Sequence, residues 1–210
     1  KHVQMTLAAY FAGLSIGQLA YGPVADRFGR RIPLLVGLTL FTLASLACAY
    51  APNLEWLIGA RFVQALGGCA GMVISRAVVS DKCDAVGSAK VFSQLMLVMG
   101  LAPILAPMLG GLLVNTTGWQ SIFLVLTGFS ALAGLAVALG LPESMPAHMP
   151  RQPLSGALRQ YGRLLKDRVY LGHALTGGIA IAGMFAYIAG SPFIFIKLYG
   201  VPAEHFGWLF

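Results

Sequence analysis

The chain has 210 residues, of which 58% are hydrophobic and only 10% charged, with 14 Lys and Arg against 7 Asp and Glu and a net charge of +7. Soluble domains carry about 25% charged residues, so this composition cannot cover a soluble surface, and its hydrophobicity excludes disorder. The basic excess does not point to nucleic acid, because the Lys and Arg residues sit in short gaps between apolar runs, which is the pattern of membrane topology.

Six runs are long enough to span a bilayer: Val3–Gly22, Ile32–Ala51, Trp56–Ser80, Val91–Val114, Trp119–Leu141 and Val169–Ile196. About twenty helical residues, rising about 1.5 Å each, cover the hydrocarbon core of about 30 Å. A seventh run starts near Phe206 and stops at Phe210, and the chain opens directly on an apolar segment. The expectation is a segment of a longer, all-α, polytopic membrane protein.

The basic residues alternate. Arg27, Arg30 and Arg31 follow the first run, Arg76, Lys82 and Lys90 the third, and Arg151, Arg159, Arg163, Lys166 and Arg168 the fifth. The gaps 52–55 and 115–118 hold none, and Lys197 stands alone in the last. The positive-inside rule then puts the basic loops in the cytoplasm and residue 1 outside. Cys48, Cys69 and Cys83 are odd in number and form no Cys-x-x-Cys pair; the spacing predicts neither disulfide nor metal site, and the cysteines read as small packing residues.

The long loop 142–168 divides the chain into three parts: 1–141 with five spans, the loop itself, and 169–210. Within it Leu154, Leu158, Tyr161 and Leu165 share one helical face, with Arg159, Arg163 and Lys166 off that face. The pattern fits a surface helix on anionic lipid and equally a solvated linker helix.

The strongest motifs lie at the span ends. Residues Gly22-Pro23-Val24-Ala25-Asp26-Arg27-Phe28-Gly29-Arg30-Arg31 read as a tight turn between two helices, in which Gly22 and Gly29 permit backbone geometries closed to bulkier residues. On spacing alone the arginines serve equally well as topology determinants, with Asp26 neutralising one of them. Arg61 is the only charged residue deep inside a run. A central Arg costs about 2.5–3.5 kcal/mol on insertion scales, so it faces the bundle interior or a cavity, or else snorkels to the nearby interface. Gln64, Gly68 and Ser75 share its face. Gly100, Pro103, Pro107, Gly110 and Gly111 lie in one run: the prolines remove backbone hydrogen bonds and kink helices, and the glycines admit a neighbouring helix. The small residues Ala9, Gly13 and Gly17, and Gly67, Gly71 and Ser75, recur every four positions as helix contacts. His173, at the start of the sixth run, suits interfacial packing better than proton transfer, and Pro192 suits a kink or gate and equally a stop. No catalytic constellation or phosphate loop can be assembled, so no enzyme is expected.

The decapeptide Gly22–Arg31 resembles the signature loop of the major facilitator superfamily, Gly, three residues, Asp-Arg, any residue, Gly-Arg-Arg. Arg61-Phe62-Val63-Gln64-Ala65 resembles the Arg-x-x-Gln-Gly motif of the family's fourth helix. Gly100 with Ala106-Pro107-Met108-Leu109-Gly110-Gly111 resembles the Gly-Pro-x-x-Gly-Gly antiporter motif of the fifth. Ala65 and Ala106 depart from glycine but stay small. The wording of the whole chain is similar to the bicyclomycin-resistance (Bcr/CflA) branch of drug:proton antiporters, with echoes at Gly17-Gln18-Leu19 and Gly190-Ser191-Pro192-Phe193.

The resemblance implies a major facilitator fold from the second of twelve helices to the start of the eighth. It implies that 1–141 is part of an N-terminal bundle and that 169–210 begins a C-terminal one. Gly22, Asp26, Arg27, Gly29, Arg30, Arg31 and Asp81 would form a conformational switch, with Asp81 holding Arg27 or Arg30. Arg61 and Gln64 would serve proton coupling or line the cavity, and Gly100, Pro107, Gly110 and Gly111 would form the antiporter motif. The implied function is proton-coupled efflux of small drug-like molecules by a monomer of the bacterial inner membrane. Its partners are a small-molecule substrate, protons and the lipid bilayer, with no nucleic acid and no cofactor beyond the proton gradient. A facilitator or importer on the same fold, and a non-transporting helical sensor or channel subunit, are the alternatives.

Overall fold

The computed structural model describes residues 2–146 and 154–201. Among these, every regular element is helical: α1 (His2–Phe28), α2 (Arg31–Ala49), α3 (Leu54–Lys82), α4 (Ala85–Thr117), α5 (Gln120–Gly140), α6 (Leu154–Leu164) and α7 (Arg168–Pro192). The run near Phe206 and the loop arginine Arg151 lie outside the described residues, as do the side chains of Leu154 and Leu158.

Five of these helical stretches are long and apolar enough to cross a membrane: α2, α3, α4, α5, and α7 with its continuation to Leu198. At 27 residues α1 is long enough, but Gln4, Thr6, Ser15 and Gln18 dilute its hydropathy. The sequence supplies the helix starts. The Asn53 side chain accepts from the Trp56 N–H at 2.8 Å, and that of Asp84 from the Gly87 N–H at 2.9 Å. Asp167 accepts from the Val169 and Tyr170 N–H groups. Each satisfies donors that a helix start leaves unpaired.

Helix α3 packs between α1 and α2, while α2 also packs on α5. Small residues set these contacts. A Cβ at Gly13 would stand 2.5 Å from the Phe62 carbonyl oxygen, and one at Gly17 2.6 Å from Cys69 Sγ. A Cβ at Gly37 would collide with that of Ala70, and one at Gly67 would stand 2.5 Å from the Phe41 nitrogen. Most of the fully buried side chains are correspondingly small, among them Ser45, Cys48, Ala65, Cys69 and Ala70, with Gln64 and Ile74 the larger exceptions. Large side chains such as Phe129 and Leu139 point outward. In lipid, tails are as apolar as leucine, so close backbone approach rather than burial of bulk holds helices together.

Three expectations change. The tight turn is shorter than the decapeptide: α1 continues to Phe28, and only Gly29 and Arg30 separate it from α2. Gly29 has φ +88°, whereas Gly22 is helical. Second, no described atom lies within 4 Å of where a Cβ would stand at Gly71, Gly100, Gly110 or Gly111. No helix described here uses the close approach those glycines permit, because α4 touches α3 and α5 only lightly and buries no residue. Third, of the two readings of Pro192, a stop is not what the chain shows. The chain widens into a π-helical segment, Phe193–Leu198.

The prolines explain another contact. Pro23 lies inside α1 and has no N–H for the Leu19 carbonyl. The Tyr161 hydroxyl of α6 donates to that carbonyl at 2.8 Å. In α7 the Ile188 carbonyl freed by Pro192 is met from within, by the Ser191 hydroxyl at 3.3 Å. In α1 the residue before the proline is Gly22, with no hydroxyl, and the Tyr161 oxygen stands 3.8 Å from where its Cβ would be. Because Tyr161 faces α1, Arg159 and Arg163, about 160° round the helix from it, point away. The tyrosine edge of α6 is thus engaged by protein rather than by lipid.

Candidate functional site

Two arginines organise two sites. At the basic end of the bundle, where α1, α3 and α5 finish, Arg30 bridges two carboxylates. Its Nη1 donates to Asp26 Oδ1 at 2.6 Å and its Nε to Asp81 Oδ2 at 3.0 Å. The side chains of Arg30 and Asp81 are 7% and 8% exposed, whereas Asp26 is 52% exposed. Burial works against the Arg30 charge, but the two carboxylates outweigh it and raise its pKa. Arg27 makes neither ion pair and lies over the Phe28 ring at 5.5 Å. Arg31 Nη2 donates to the Ala138 carbonyl at 2.6 Å, which ties α2 to α5.

Glu143, just past α5, completes this end and was not singled out from the sequence. Its carboxylate accepts from the backbone N–H groups of Arg30 (2.8 Å), Arg31 (3.2 Å), Ser144 and Met145 (both 3.0 Å). Partial burial raises its pKa, but these four donors more than reverse that and hold it below the ordinary carboxylate value. The left-handed backbone of Gly29 is what lets the turn close on Glu143: a Cβ there would run into the carboxylate. The available signal was position, because Glu143 is the first charge after the long uncharged stretch from Val91 to Pro142.

Toward the other end, Arg61 lies in α3 about two turns from its start. Its Nη1 donates to Gln64 Oε1 at 2.6 Å, and Gln64 Nε2 donates to Ser45 Oγ of α2 at 2.6 Å. Gln64 and Ser45 are fully buried. The guanidinium carbon stands 4.2 Å from the Tyr10 ring centroid of α1 and 5.7 Å from that of Phe123 of α5. Arg61 therefore gathers four helices and does not simply snorkel. Ser45, Tyr10 and Phe123 were missed because nothing local marks them; they meet Arg61 only when the helices pack.

Every described Asp and Glu lies at a helix end or in a loop, so the charge of Arg61 has no carboxylate partner among the described residues. Of the rest of its polar stripe, Gly68 packs on the Phe41 ring and Ser75 opens elsewhere. Ser75 lines a groove of about 620 Å³ between α3 and α4, with Met72, Arg76, Phe92, Met96 and Met99. Gly100, Pro107, Gly110 and Gly111 lie farther along α4 and join neither arginine site. His173 is exposed on α7. No group of three or more His, Cys, Asp or Glu able to hold a metal occurs among the described residues.

Comparison with known proteins agrees with this architecture. Residues 2–210 match the family model of the Major Facilitator Superfamily. The chain belongs to that family, a family of membrane transporters rather than enzymes, and is a multi-pass protein of the bacterial inner membrane. It is 45% identical to the uncharacterized MFS-type transporter YdgK of Bacillus subtilis, over 99% of this chain and 52% of that protein. It is 32% identical to the bicyclomycin resistance protein homolog of Haemophilus influenzae, over 100% and 53% of the two chains. It is 30% identical to the multidrug transporter MdfA of Edwardsiella piscicida, over 99% and 50%. The chain thus spans about half the length of the curated relatives it matches. A crystal structure of a D-xylose-proton symporter superposes with a TM-score of 0.69 at 19% identity, over 99% of this chain and 54% of that one, a likeness of fold.

Proposed function

We propose that the transporter containing this segment exports small, drug-like molecules in exchange for protons, by alternating access. The observation that carries the reading is Arg61, a guanidinium inside a membrane-crossing helix, anchored by Gln64 and two aromatic rings and not neutralised by any described carboxylate. A charge kept at that depth is costly and marks an ion or substrate pathway. Arg61 does not release its own proton. It favours the ionised form of a carboxylate brought near it, so the proton carrier is an acid that faces Arg61 from elsewhere in the transporter. The names of the relatives, a bicyclomycin resistance protein homolog and a multidrug transporter, support drugs as substrate. So does the groove by Met72, Met96 and Met99, since methionines repack around varied apolar shapes.

On this reading the Asp26–Arg30–Asp81 bridge belongs to the cytoplasmic side and stabilises the conformation closed there. The helices up to residue 141 form one bundle and α7 begins the next, the two rocking about a central site. The transporter works as a monomer with the proton gradient as its energy source. The test is drug efflux by the full-length transporter in proteoliposomes under an imposed pH gradient. Arg61→Ala abolishes gradient-driven efflux and Arg61→Lys keeps part of it. Undiminished efflux by Arg61→Ala overturns the coupling.

A further inference from the structure

We infer that Tyr10 is a positioning residue for Arg61: its ring face holds the guanidinium without supplying a counter-charge and so leaves the cation able to donate to a group that arrives during transport. The inference rests on the transport reading but concerns a residue that no motif marks. Three observations carry it. The Tyr10 ring is the nearer of two aromatic faces at the guanidinium, 4.2 Å away against 5.7 Å for Phe123. The approach is built into the sequence. Gly13 and Gly17 bring α1 against Phe62 and Cys69 of α3, and Tyr10, one turn before Gly13, shares that face and falls over Arg61. Finally, among the described residues Arg61 makes one side-chain hydrogen bond, through Nη1 to Gln64, whose amide is in turn oriented by Ser45.

Face and edge have different chemistry. A guanidinium carries five N–H donors, all in its plane. A ring below that plane attracts the cation through its quadrupole without using a donor. A carboxylate in the same place would use two donors and cancel the charge. Tyr10 therefore anchors the side chain while leaving it cationic and able to donate. Phenylalanine keeps the aromatic face; leucine keeps the bulk and loses it.

The experiment uses the full-length transporter and two readouts. The first is the rate at which phenylglyoxal modifies Arg61, read by peptide mass. Tyr10→Leu raises that rate about 3- to 10-fold, the factor a partly desolvated cation–π contact is worth. Phe123→Leu raises it less, and Tyr10→Phe leaves it within about twofold. The second is the pH profile of gradient-driven efflux, whose midpoint shifts in Tyr10→Leu and not in Tyr10→Phe. A wild-type modification rate in Tyr10→Leu overturns the inference, as does a lowered efflux rate with an unmoved pH midpoint, which would make Tyr10 merely structural. If the wild-type transporter shows no gradient-driven efflux, the transport reading fails by itself, and the modification rates still decide the role of Tyr10.

Discussion

Arg30 and Arg61 sit in the same bundle and are treated in opposite ways. Arg30, at the bundle end, is enclosed by two carboxylates, one of them as buried as itself. Arg61, inside the membrane-crossing part, is held by an amide and two rings. The difference follows from what each environment permits. At the interface Asp26 stays half in water, so charge is matched with charge there without full desolvation of both partners. Deep in α3 a second ion would have to be desolvated as well, and a buried pair repays that only with excellent geometry. Dipoles and ring faces anchor Arg61 without adding another ion. One arginine is consumed by structure; the other keeps its charge available.

The comparison can be broken most directly at Arg30. Arg30→Ala leaves Asp81 buried without a cation and lowers unfolding stability by about 3–5 kcal/mol, measured by denaturation in detergent. Replacing Arg30 and Asp81 together by Met and Leu recovers most of that loss, because the uncompensated charge goes with its partner. Gln64→Leu is the matching change at Arg61. It strands the Ser45 hydroxyl and removes the one side-chain acceptor that Arg61 has among the described residues, at a cost of about 1–3 kcal/mol in the same assay. A loss as large as that for Arg30→Ala would show that Arg61 is also a structural ion.

Glu143 sharpens the contrast through pH. Its folded pKa lies below the ordinary 4.5, so its contribution to the Gly29–Arg31 turn is fully present above about 4.5 and fades as pH falls through the lower folded value. The acid side of the stability profile is therefore shallower in Glu143→Gln than in the wild type. The Arg61 site contributes no such acid limb, having no described carboxylate. The smallest effect belongs to α4. Gly110→Ala meets no described neighbour and stabilises its helix by about 0.5–1 kcal/mol. A loss of stability instead would show that another helix packs on that face.

The sequence by itself determined the class of the protein. Runs of about twenty apolar residues and the alternation of basic gaps follow from bilayer thickness and surface charge, which act on the chain locally. It also marked Arg61 and Gln64, because a charge or amide among apolar residues stands out by contrast, and Arg30 and Asp81, because they fall at the ends of apolar runs. It did not determine which of Arg27 and Arg30 meets Asp81, nor that Gly22 is helical. Glu143, Tyr10, Ser45, Phe123 and the Tyr161 contact with Leu19 were decided by tertiary structure alone. They join residues far apart in sequence, from 19 positions for Ser45 and Gln64 to 142 for Leu19 and Tyr161. Such contacts depend on how the glycines of α1, α2 and α3 let the backbones approach and on how each helix is turned about its axis. Periodicity gives the faces of a helix; only packing selects the neighbour that each face meets.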